Sequence, residues 1–203
     1  MIPKLDKLSN DQLCYLLELV QHSSSTEYWE IGEGSTPMVI TEGTYAYKVP
    51  KPYYDEDLEQ SYLDAEADYK EEFKVLKELE KVEIYPKPIY VTDDILCMER
   101  IGGYHQHELM QNQLLEIPKE SITKFMMGII ETYRLGFEPR DFNLSNVKIT
   151  EDYKIYMVDV GLFKKSDNPV YCIPLALERL VEPYEDLKQE MYKYFGYIRE
   201  EEL

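Results

Sequence analysis

Two short apolar runs in the second half of the chain, VKI at 147–149 and KIYMV at 154–158, are separated by the polar pair Glu151-Asp152. Runs of this length on either side of a polar turn predict a β-hairpin. A hairpin returns its second strand alongside its first, so the residues that flank it become neighbours. Those residues are Asn146 and Asp159, and the sequence therefore predicts that an amide and a carboxylate lie side by side.

A second carboxylate, that of Asp141, precedes Asn146 by five residues in the stretch RDFNLSN. Two interpretations of these polar residues are open: they punctuate turns, or they converge on a metal ion and a phosphate. Mg²⁺ binds oxygen atoms, commonly one or two carboxylates together with substrate phosphates. The hairpin favours the second interpretation, because it brings oxygen-bearing side chains to one place.

The order of the predicted elements indicates an α+β fold of two unequal parts. Apolar spacing and turn residues predict a helix at 9–21, strands within 29–50, helical periodicity over 54–81, a hairpin at 89–100, a helix at 119–135, and one or two helices over 175–196 interrupted by Pro183. The glycine pair Gly102-Gly103 breaks the chain between the two parts and is the natural hinge.

Two of these segments carry a clear helical period. In the segment 54–81 the apolar residues at helical spacing are Leu58, Tyr62, Ala65, Tyr69, Phe73, Leu76 and Leu79. In the segment 119–135 one face holds Ile122, Phe125, Met126, Ile129, Ile130 and Tyr133, and Gly136 follows as a C-terminal cap. The second pattern is the most regular in the chain and predicts a helix with one buried face.

The chain is strongly acidic, with a formal net charge of -18 over 203 residues. A field of this sign repels nucleic acid and anionic membranes, so neither is expected as a partner. Three widely spaced cysteines indicate neither a disulfide framework nor a zinc site. Since the sequence has no long apolar run and no signal peptide, we expect a cytoplasmic setting, in the producing cell or in a host cell.

Two features in the first half of the chain can be interpreted either as parts of a ligand-binding site or as purely structural elements. Gly32 and Gly34 in IGEGSTPMVI either let backbone amides approach a phosphate or form a hairpin turn. Lys48, at the centre of the apolar strand AYKVP, either needs an anionic partner or ligand, or points to water from an edge strand.

A carboxylate on the following helix is a candidate partner for Lys48. Glu72 steps by three and four residues from Tyr69 and Leu76, so it lies on or beside the buried face. Two neighbouring glutamates, Glu66 and Glu71, are alternatives for the inward position. The simplest interpretation is one more glutamate on an acidic helix.

These features occur in the order found in protein kinases, and the chain resembles the protein-kinase-like fold over 29–165. In the first half, IGEGSTPMV resembles the glycine-rich loop GxGxxGxV, AYK resembles the strand-lysine motif AxK, and LCMERIGG resembles the hinge that holds adenine. In the second half, RDFNLSN resembles the catalytic loop RDxxxxN, and DVG resembles the metal-binding motif DFG. The stretch VKITEDYKIYMVDVGLFKK is particularly similar to the same segment of bacterial Ser/Thr kinases.

The resemblance implies an α+β, bilobal fold within a single domain, 1–203. Its parts would be an N-terminal helical extension at 1–28, a small antiparallel β-sheet N-lobe at 29–101, and a reduced, mainly helical C-lobe at 102–203. The C-lobe is expected to be reduced because only about thirty residues follow the activation segment, fewer than the usual set of helices requires.

The same resemblance implies a role for each motif residue. Lys48, oriented by Glu72, would hold the α and β phosphates of ATP, and Asp141 would accept the proton of the attacking hydroxyl. Asn146 and Asp159 would hold Mg²⁺. The nucleotide-binding residues would be Gly32, Glu33, Gly34, Ser35, Val39, Ala46, Lys48, Met98 as gatekeeper, Glu99 and Ile101 through their backbone groups, Asn146 and Asp159.

The chain departs from the family pattern at four positions. Pro37 replaces the third glycine of the loop, and Pro139 replaces the histidine before Arg-Asp. Val160 replaces the phenylalanine of DFG, and Leu175 stands where APE has its glutamate. The histidine and phenylalanine normally belong to the apolar spine that aligns the lobes, so these changes affect regulation more than chemistry.

The leading hypothesis is a kinase that uses ATP and Mg²⁺ to phosphorylate a protein, with serine or threonine as acceptor. A small-molecule phosphotransferase is one alternative, although it normally carries a larger insert after the catalytic loop. A pseudokinase is a second, disfavoured because Lys48, Asp141, Asn146 and Asp159 are all present. An interaction module with coincidental motifs is the third.

We predict that activity does not depend on phosphorylation of the segment after DVG. Ser166 is the only hydroxyl-bearing residue between DVG and Tyr171. Ser166→Ala and Tyr171→Phe are therefore expected to keep the wild-type rate of phosphoryl transfer, as is protein treated with a phosphatase. A required phosphate on either residue, found by mass spectrometry of the active fraction, would contradict this.

Overall fold

The computed structural model describes residues 38–42, 44–49, 52–55, 60–63, 68–93, 95–107, 109 and 116–196, with the side chains of 38–42, 52–55 and 60–63 left undescribed. The predicted helix at 9–21 and the glycine-rich stretch at 32–35 lie outside these residues. The chain divides into two compact units, one of 1–77 with 87–100 and one of 78–86 with 101–203.

The first unit is built on a four-stranded antiparallel sheet, and the strands expected within 29–50 and 89–100 are confirmed where they are described. Its strands are β1 (Met38–Glu42), β2 (Tyr45–Val49), β5 (Pro88–Val91) and β6 (Leu96–Glu99), in the order β1-β2-β6-β5. The Thr92 N–H donates to the Ile95 carbonyl at 2.9 Å and closes the β5–β6 turn. Burial raises the pKa of the Cys97 thiol to about 11, so it remains a protonated core group.

The prediction of helical structure over 54–81 is wrong in the first half of that segment. A second antiparallel pair, β3 (Pro52–Asp55) and β4 (Gln60–Leu63), occupies that region with Tyr53 opposite Tyr62. Tyrosines favour strands, and this preference prevails over the helical spacing of Leu58 and Tyr62. Residues 56–59 and 64–67 lie outside the described part of the chain, so the correction applies to the residues of β3 and β4.

The first helix, α1 (Tyr69–Glu78), begins where a capping residue allows it. The Asp68 carboxylate accepts a hydrogen bond from the Glu71 N–H at 3.0 Å, which satisfies one of the unpaired donors of the first turn. The buried side chains of α1 are spaced by three and four residues and are those of Tyr69, Glu72, Val75 and Leu76. The cap and this spacing fix which face of α1 turns inward.

The second unit is organised around α2 (Lys119–Arg134), as predicted. All six apolar residues expected on its inner face are buried: Ile122, Phe125, Met126, Ile129, Ile130 and Tyr133. Gly136 follows with φ +83, a conformation that glycine adopts without strain, and its N–H donates to the Tyr133 carbonyl at 2.9 Å. None of the helices in the described ranges combines the length and apolar character that a membrane crossing needs.

The hairpin predicted from the two apolar runs is confirmed. Its strands β9 (Val147–Ile149) and β10 (Ile155–Met157) pair in antiparallel register, and Tyr153 takes φ +62 in the turn. A short strand, β7 (Tyr104–His105), adds to β9 and gives the order β10-β9-β7. Gly103 precedes it with φ +94, where an added Cβ would lie 2.2 Å from the Ile149 carbonyl oxygen.

The remaining elements frame the hairpin and α2. Strand β8 (Phe137–Glu138) pairs with β11 (Lys164–Lys165) in antiparallel register. The helices predicted over 175–196 are α3 (Leu175–Val181) and α4 (Glu185–Phe195), and the chain is interrupted around Pro183 as expected. Tyr133 of α2 lies between the Tyr171 ring, stacked at 4.5 Å, and the Phe195 ring at 6.0 Å. The observed fold is α+β with small antiparallel sheets.

We predict that Gly128→Ala destabilises the second unit, although alanine is the better helix former by about 1 kcal/mol. An added Cβ on Gly128 would lie 2.7 Å from Cγ2 of the buried Ile84. Overpacking of this kind costs about 1–3 kcal/mol, to be measured by denaturant unfolding. Gly102→Ala, where nothing lies within 4 Å, serves as the control, and adding Ile84→Ala should relieve the clash. Equal stability of Gly128→Ala and wild type would contradict the prediction.

Candidate active site

A buried ion pair joins β2 to α1 in the first unit. Lys48 Nζ lies 2.5 Å from Glu72 Oε1, and the two side chains are only 3% and 6% exposed. Lys48 lies on the same buried face of β2 as Ala46, two residues away. Glu72 follows the capped turn of α1, whereas Glu71 is exposed and pairs with Lys74. The structure thus selects Glu72 over Glu71 as the inward carboxylate.

The position of this pair points to chemistry rather than to stability. Removing an ammonium and a carboxylate from water costs several kcal/mol per ion, which their attraction only roughly offsets, so an apolar pair of similar volume is often at least as stable. The burial of this pair therefore calls for an explanation other than stability. The structure brings Lys48 and Glu72 together in the way the kinase resemblance implies.

In the first unit, the residues expected to bind the nucleotide lie on adjacent strands. Ala46 of β2 pairs in register with Met98 of β6, and both side chains are buried. Lys48 pairs on its other side with Val39 of β1, whose side chain is not described. The Glu99 N–H donates to the Lys87 carbonyl at 2.8 Å. The sheet therefore places these candidates on neighbouring positions of three strands.

One residue of the hinge that is expected to bind adenine, Ile101, belongs to the second unit. Ile101 is buried, and its carbonyl accepts a hydrogen bond of 3.4 Å from the Nζ atom of Lys148, a buried residue of β9. The stretch Gly32, Glu33, Gly34 and Ser35 lies outside the described residues, so its contacts stay predictions.

The loop between β8 and β9 holds the second group of candidates. Asp141 adopts φ +56, an uncommon conformation for a residue other than glycine. Asn146 is fully buried, and its Nδ2 donates to the Asp141 carbonyl at 2.9 Å and to Asp141 Oδ2 at 3.0 Å. The amide of Asn146 thus fixes both the backbone and the carboxylate of Asp141.

The hairpin connects this loop to Asp159. The Val158 N–H donates to the Asn146 carbonyl at 2.9 Å, so the residue next to Asp159 is bonded directly to Asn146. Asp159 Oδ1 in turn accepts a hydrogen bond from the Gly161 N–H at 3.0 Å. An amide and a carboxylate therefore flank the hairpin at one end, as the apolar runs predicted.

The side-chain oxygen atoms of Asn146 and Asp159 are of the kind that binds a divalent cation. Asn146 Oδ1 is buried and has no hydrogen-bond partner among the residues that the structure describes, although an unsatisfied buried acceptor costs about 1–3 kcal/mol. A bound Mg²⁺ would satisfy it, because this ion prefers amide and carboxylate oxygens. The residues present are thus chemically suited to the metal role that the resemblance assigns to Asn146 and Asp159.

Aromatic side chains that the sequence analysis did not single out support the loop. Phe142 is buried between Phe125, at 5.7 Å between ring centroids, and Phe163, at 6.4 Å. Phe163 also meets Tyr85 edge-on at 5.9 Å. Val160 is buried without an aromatic ring, and Phe163, three residues later, is the buried aromatic residue of this segment. A large aromatic immediately after DVGL is the sequence signal that was available.

The segment after DVG is fixed by contacts of its own. The Val170 N–H donates to Glu138 Oε1 at 3.1 Å, and the other carboxylate oxygen lies 3.7 Å from the Arg140 guanidinium. The Ser166 N–H donates to the Gly136 carbonyl at 2.8 Å. A carboxylate of the chain therefore links the segment to the residue preceding Asp141.

We predict that Lys48 and Glu72 are strongly coupled in stability. Lys48→Met or Glu72→Leu alone leaves one buried charge without this partner, at a cost of about 3–5 kcal/mol, whereas the double variant should be close to wild type. The checking measurement is a double-mutant cycle by denaturant unfolding. Glu71→Leu and Lys74→Met, which alter the exposed neighbouring pair, form the control cycle and should show little coupling. Additive effects at Lys48 and Glu72 would contradict the prediction.

Comparison with known proteins identifies the family. No curated protein matches the chain. Among solved structures it is similar to a chain in a co-crystal structure of WbdD with the kinase inhibitor LY294002, at 13% identity and a TM-score of 0.43, covering 83% of this chain and 38% of that one. The RIO domain model matches residues 45–175, a range that contains Lys48, Glu72, Asp141, Asn146 and Asp159. The chain therefore belongs to the RIO domain family, a family of atypical protein-kinase-like proteins.

Proposed function

We propose that this chain is an ATP- and Mg²⁺-dependent kinase that transfers the γ-phosphate of ATP to a protein hydroxyl, with serine or threonine as acceptor. Family membership supports an ATP-binding phosphotransferase at the coarse level. The observation that carries the finer proposal is the buried Asn146, whose Nδ2 orients the Asp141 carboxylate while its Oδ1 is left for a cation.

In the proposed reaction Asp141 acts as the general base. Its carboxylate accepts the proton of the attacking hydroxyl as the new oxygen–phosphorus bond forms, the bond between the β- and γ-phosphates breaks, and ADP leaves. Lys48, held by Glu72, neutralises charge on the α and β phosphates. Asn146 and Asp159 would hold Mg²⁺, which would supply positive charge against the phosphates.

The proposed domain is the single one of 1–203, with the nucleotide-binding N-lobe at 29–101 and the catalytic C-lobe at 102–203. Within the second unit, the bonds from Glu138 to Val170 and Arg140 support a segment that is ordered without a phosphate. They give a physical reason to expect an enzyme that needs no activating phosphorylation.

We predict that Mg²⁺ and ATP together stabilise the protein through Asp159. Ligand at a hundred times its dissociation constant should add about 2.7 kcal/mol to the free energy of unfolding. A thermal-unfolding titration with ATP, with and without Mg²⁺, should show this rise in wild type and not in Asp159→Ala. Asp167→Ala, which removes an exposed carboxylate of the same unit, is the matched control and should behave as wild type.

Turnover distinguishes an enzyme from a protein that only binds nucleotide. Asp141→Asn should keep the Mg²⁺-dependent rise and reduce phosphoryl transfer to a small residual rate, because the general base is replaced by a neutral group. Stabilisation without transfer in wild type, across protein acceptors and water, would favour a pseudokinase. Absence of any rise at millimolar Mg²⁺ and ATP would remove the proposal altogether.

A further inference from the structure

Asn143 lies at the centre of the loop that carries Asp141 and Asn146. Its Nδ2 donates to Asp141 Oδ1 at 2.7 Å. Its Oδ1 accepts three hydrogen bonds, from the Ser145 N–H at 2.9 Å, the Ser145 hydroxyl at 2.5 Å and the Asn146 N–H at 3.1 Å. One amide therefore joins the proposed general base to the backbone that leads into the proposed metal ligand.

The two halves of the Asn143 amide have different tasks. The acceptor, Oδ1, satisfies two backbone N–H groups and shapes the loop, as asparagine side chains commonly do in turns. The donor, Nδ2, reaches a functional carboxylate rather than the backbone. The donor half therefore links the turn to the Asp141 carboxylate.

Together with Asn146, this donor determines how the Asp141 carboxylate is oriented. Asn143 binds Oδ1 and Asn146 binds Oδ2, so each carboxylate oxygen has one amide donor. Two bonds to different oxygens fix the rotation of the carboxylate plane about its own axis. Because each carboxylate oxygen has more than one lone pair, both retain acceptor capacity for a substrate hydroxyl.

Neutral donors suit this task better than charged ones. An ammonium or guanidinium at the same place would bind the carboxylate more strongly and compete with the substrate hydroxyl for it. Amides orient the base while leaving its charge available. Asp141 adopts a left-handed conformation, at φ +56, and its carboxylate is bonded to both amides of the loop.

We propose that Asn143 is a positioning residue for phosphoryl transfer, one that orients the Asp141 carboxylate through Nδ2. This inference rests on the proposed function of Asp141 as general base. It assigns to Asn143 a role in the chemical step and none in nucleotide binding. Positioning groups of this kind matter because a displacement of about 1 Å can cost on the order of 10² in rate.

The two roles of the amide can be separated by one isosteric substitution. Asn143→Asp keeps an acceptor oxygen for Ser145 and Asn146 but replaces the donor to Asp141 with a second carboxylate, so its effect combines loss of the bond with repulsion between the two carboxylates. Asn143→Ala removes both. Asn168→Asp, at an exposed position of the same unit, adds the same charge elsewhere and is the matched control. Release of phosphate from Mg²⁺ and ATP, with water as acceptor, measures turnover without a known protein substrate.

Asn143→Asp is expected to lower kcat by about 10²-fold while the KM for Mg²⁺-ATP and the ligand-induced thermal shift stay at wild-type values. In the background of Asp141→Asn, the same substitution should cause no further loss, since it acts through the group already removed. Amide hydrogen exchange over 141–147 should remain slow in Asn143→Asp and become faster in Asn143→Ala. The Asn168→Asp control should match wild type throughout.

Three results would overturn the inference. An Asn143→Asp enzyme with wild-type kcat would show that the donor is not needed. An equal loss of kcat in the presence and absence of Asp141 would show a purely structural effect. Wild-type protein that binds Mg²⁺-ATP but never turns it over removes the proposed function itself, and the positioning role with it. The thermal titration distinguishes this last result from the first two.

Discussion

The second unit depends on one fully buried amide, that of Asn146. Its side-chain nitrogen is bonded to Asp141, its backbone N–H to Asn143, and its backbone carbonyl to Val158 across the hairpin. Each bond satisfies a group that burial would otherwise penalise, so the loop and the hairpin are fixed to one another by the same residue. Only Oδ1 is left over. The structural requirements of folding thus leave one oxygen for ligand chemistry.

The two units use buried polarity in different ways. The first buries opposite charges, Lys48 and Glu72, which neutralise one another and hold a cation at a defined place on the sheet. The second buries neutral amides, which orient the carboxylate of Asp141 without neutralising it. The difference matches the proposed tasks, since a phosphate needs a positive charge and a substrate proton needs a free base.

Much of this could be predicted from sequence where the signal was local. The hairpin and α2 followed from apolar periods, and Glu72 from its place one turn after Tyr69. The helix expected over 54–81 was wrong at 54–55 and 60–63, which are strands, because periodicity alone ignores the strand preference of tyrosine. Asn143 and Phe163 were missed because side-chain hydrogen bonds within a loop and aromatic contacts between distant segments leave no period in the sequence. Asp68 is a residue type that commonly caps helices, and it marks the start of α1 in the sequence.

Asp141 and Lys48 differ in what the fold would lose without them. Lys48 cannot change alone without leaving Glu72 as a buried anion, so a chain drifting away from catalysis would retain the pair for reasons of folding. Asp141 is partly exposed and holds a left-handed conformation that costs about 1 kcal/mol or more. Its loss would take one acceptor each from the amides of Asn143 and Asn146 but leave no buried charge uncompensated. The fold therefore constrains the identity of residue 141 less than it constrains Lys48 and Glu72, and a change at Asp141 could alter function with little effect on folding.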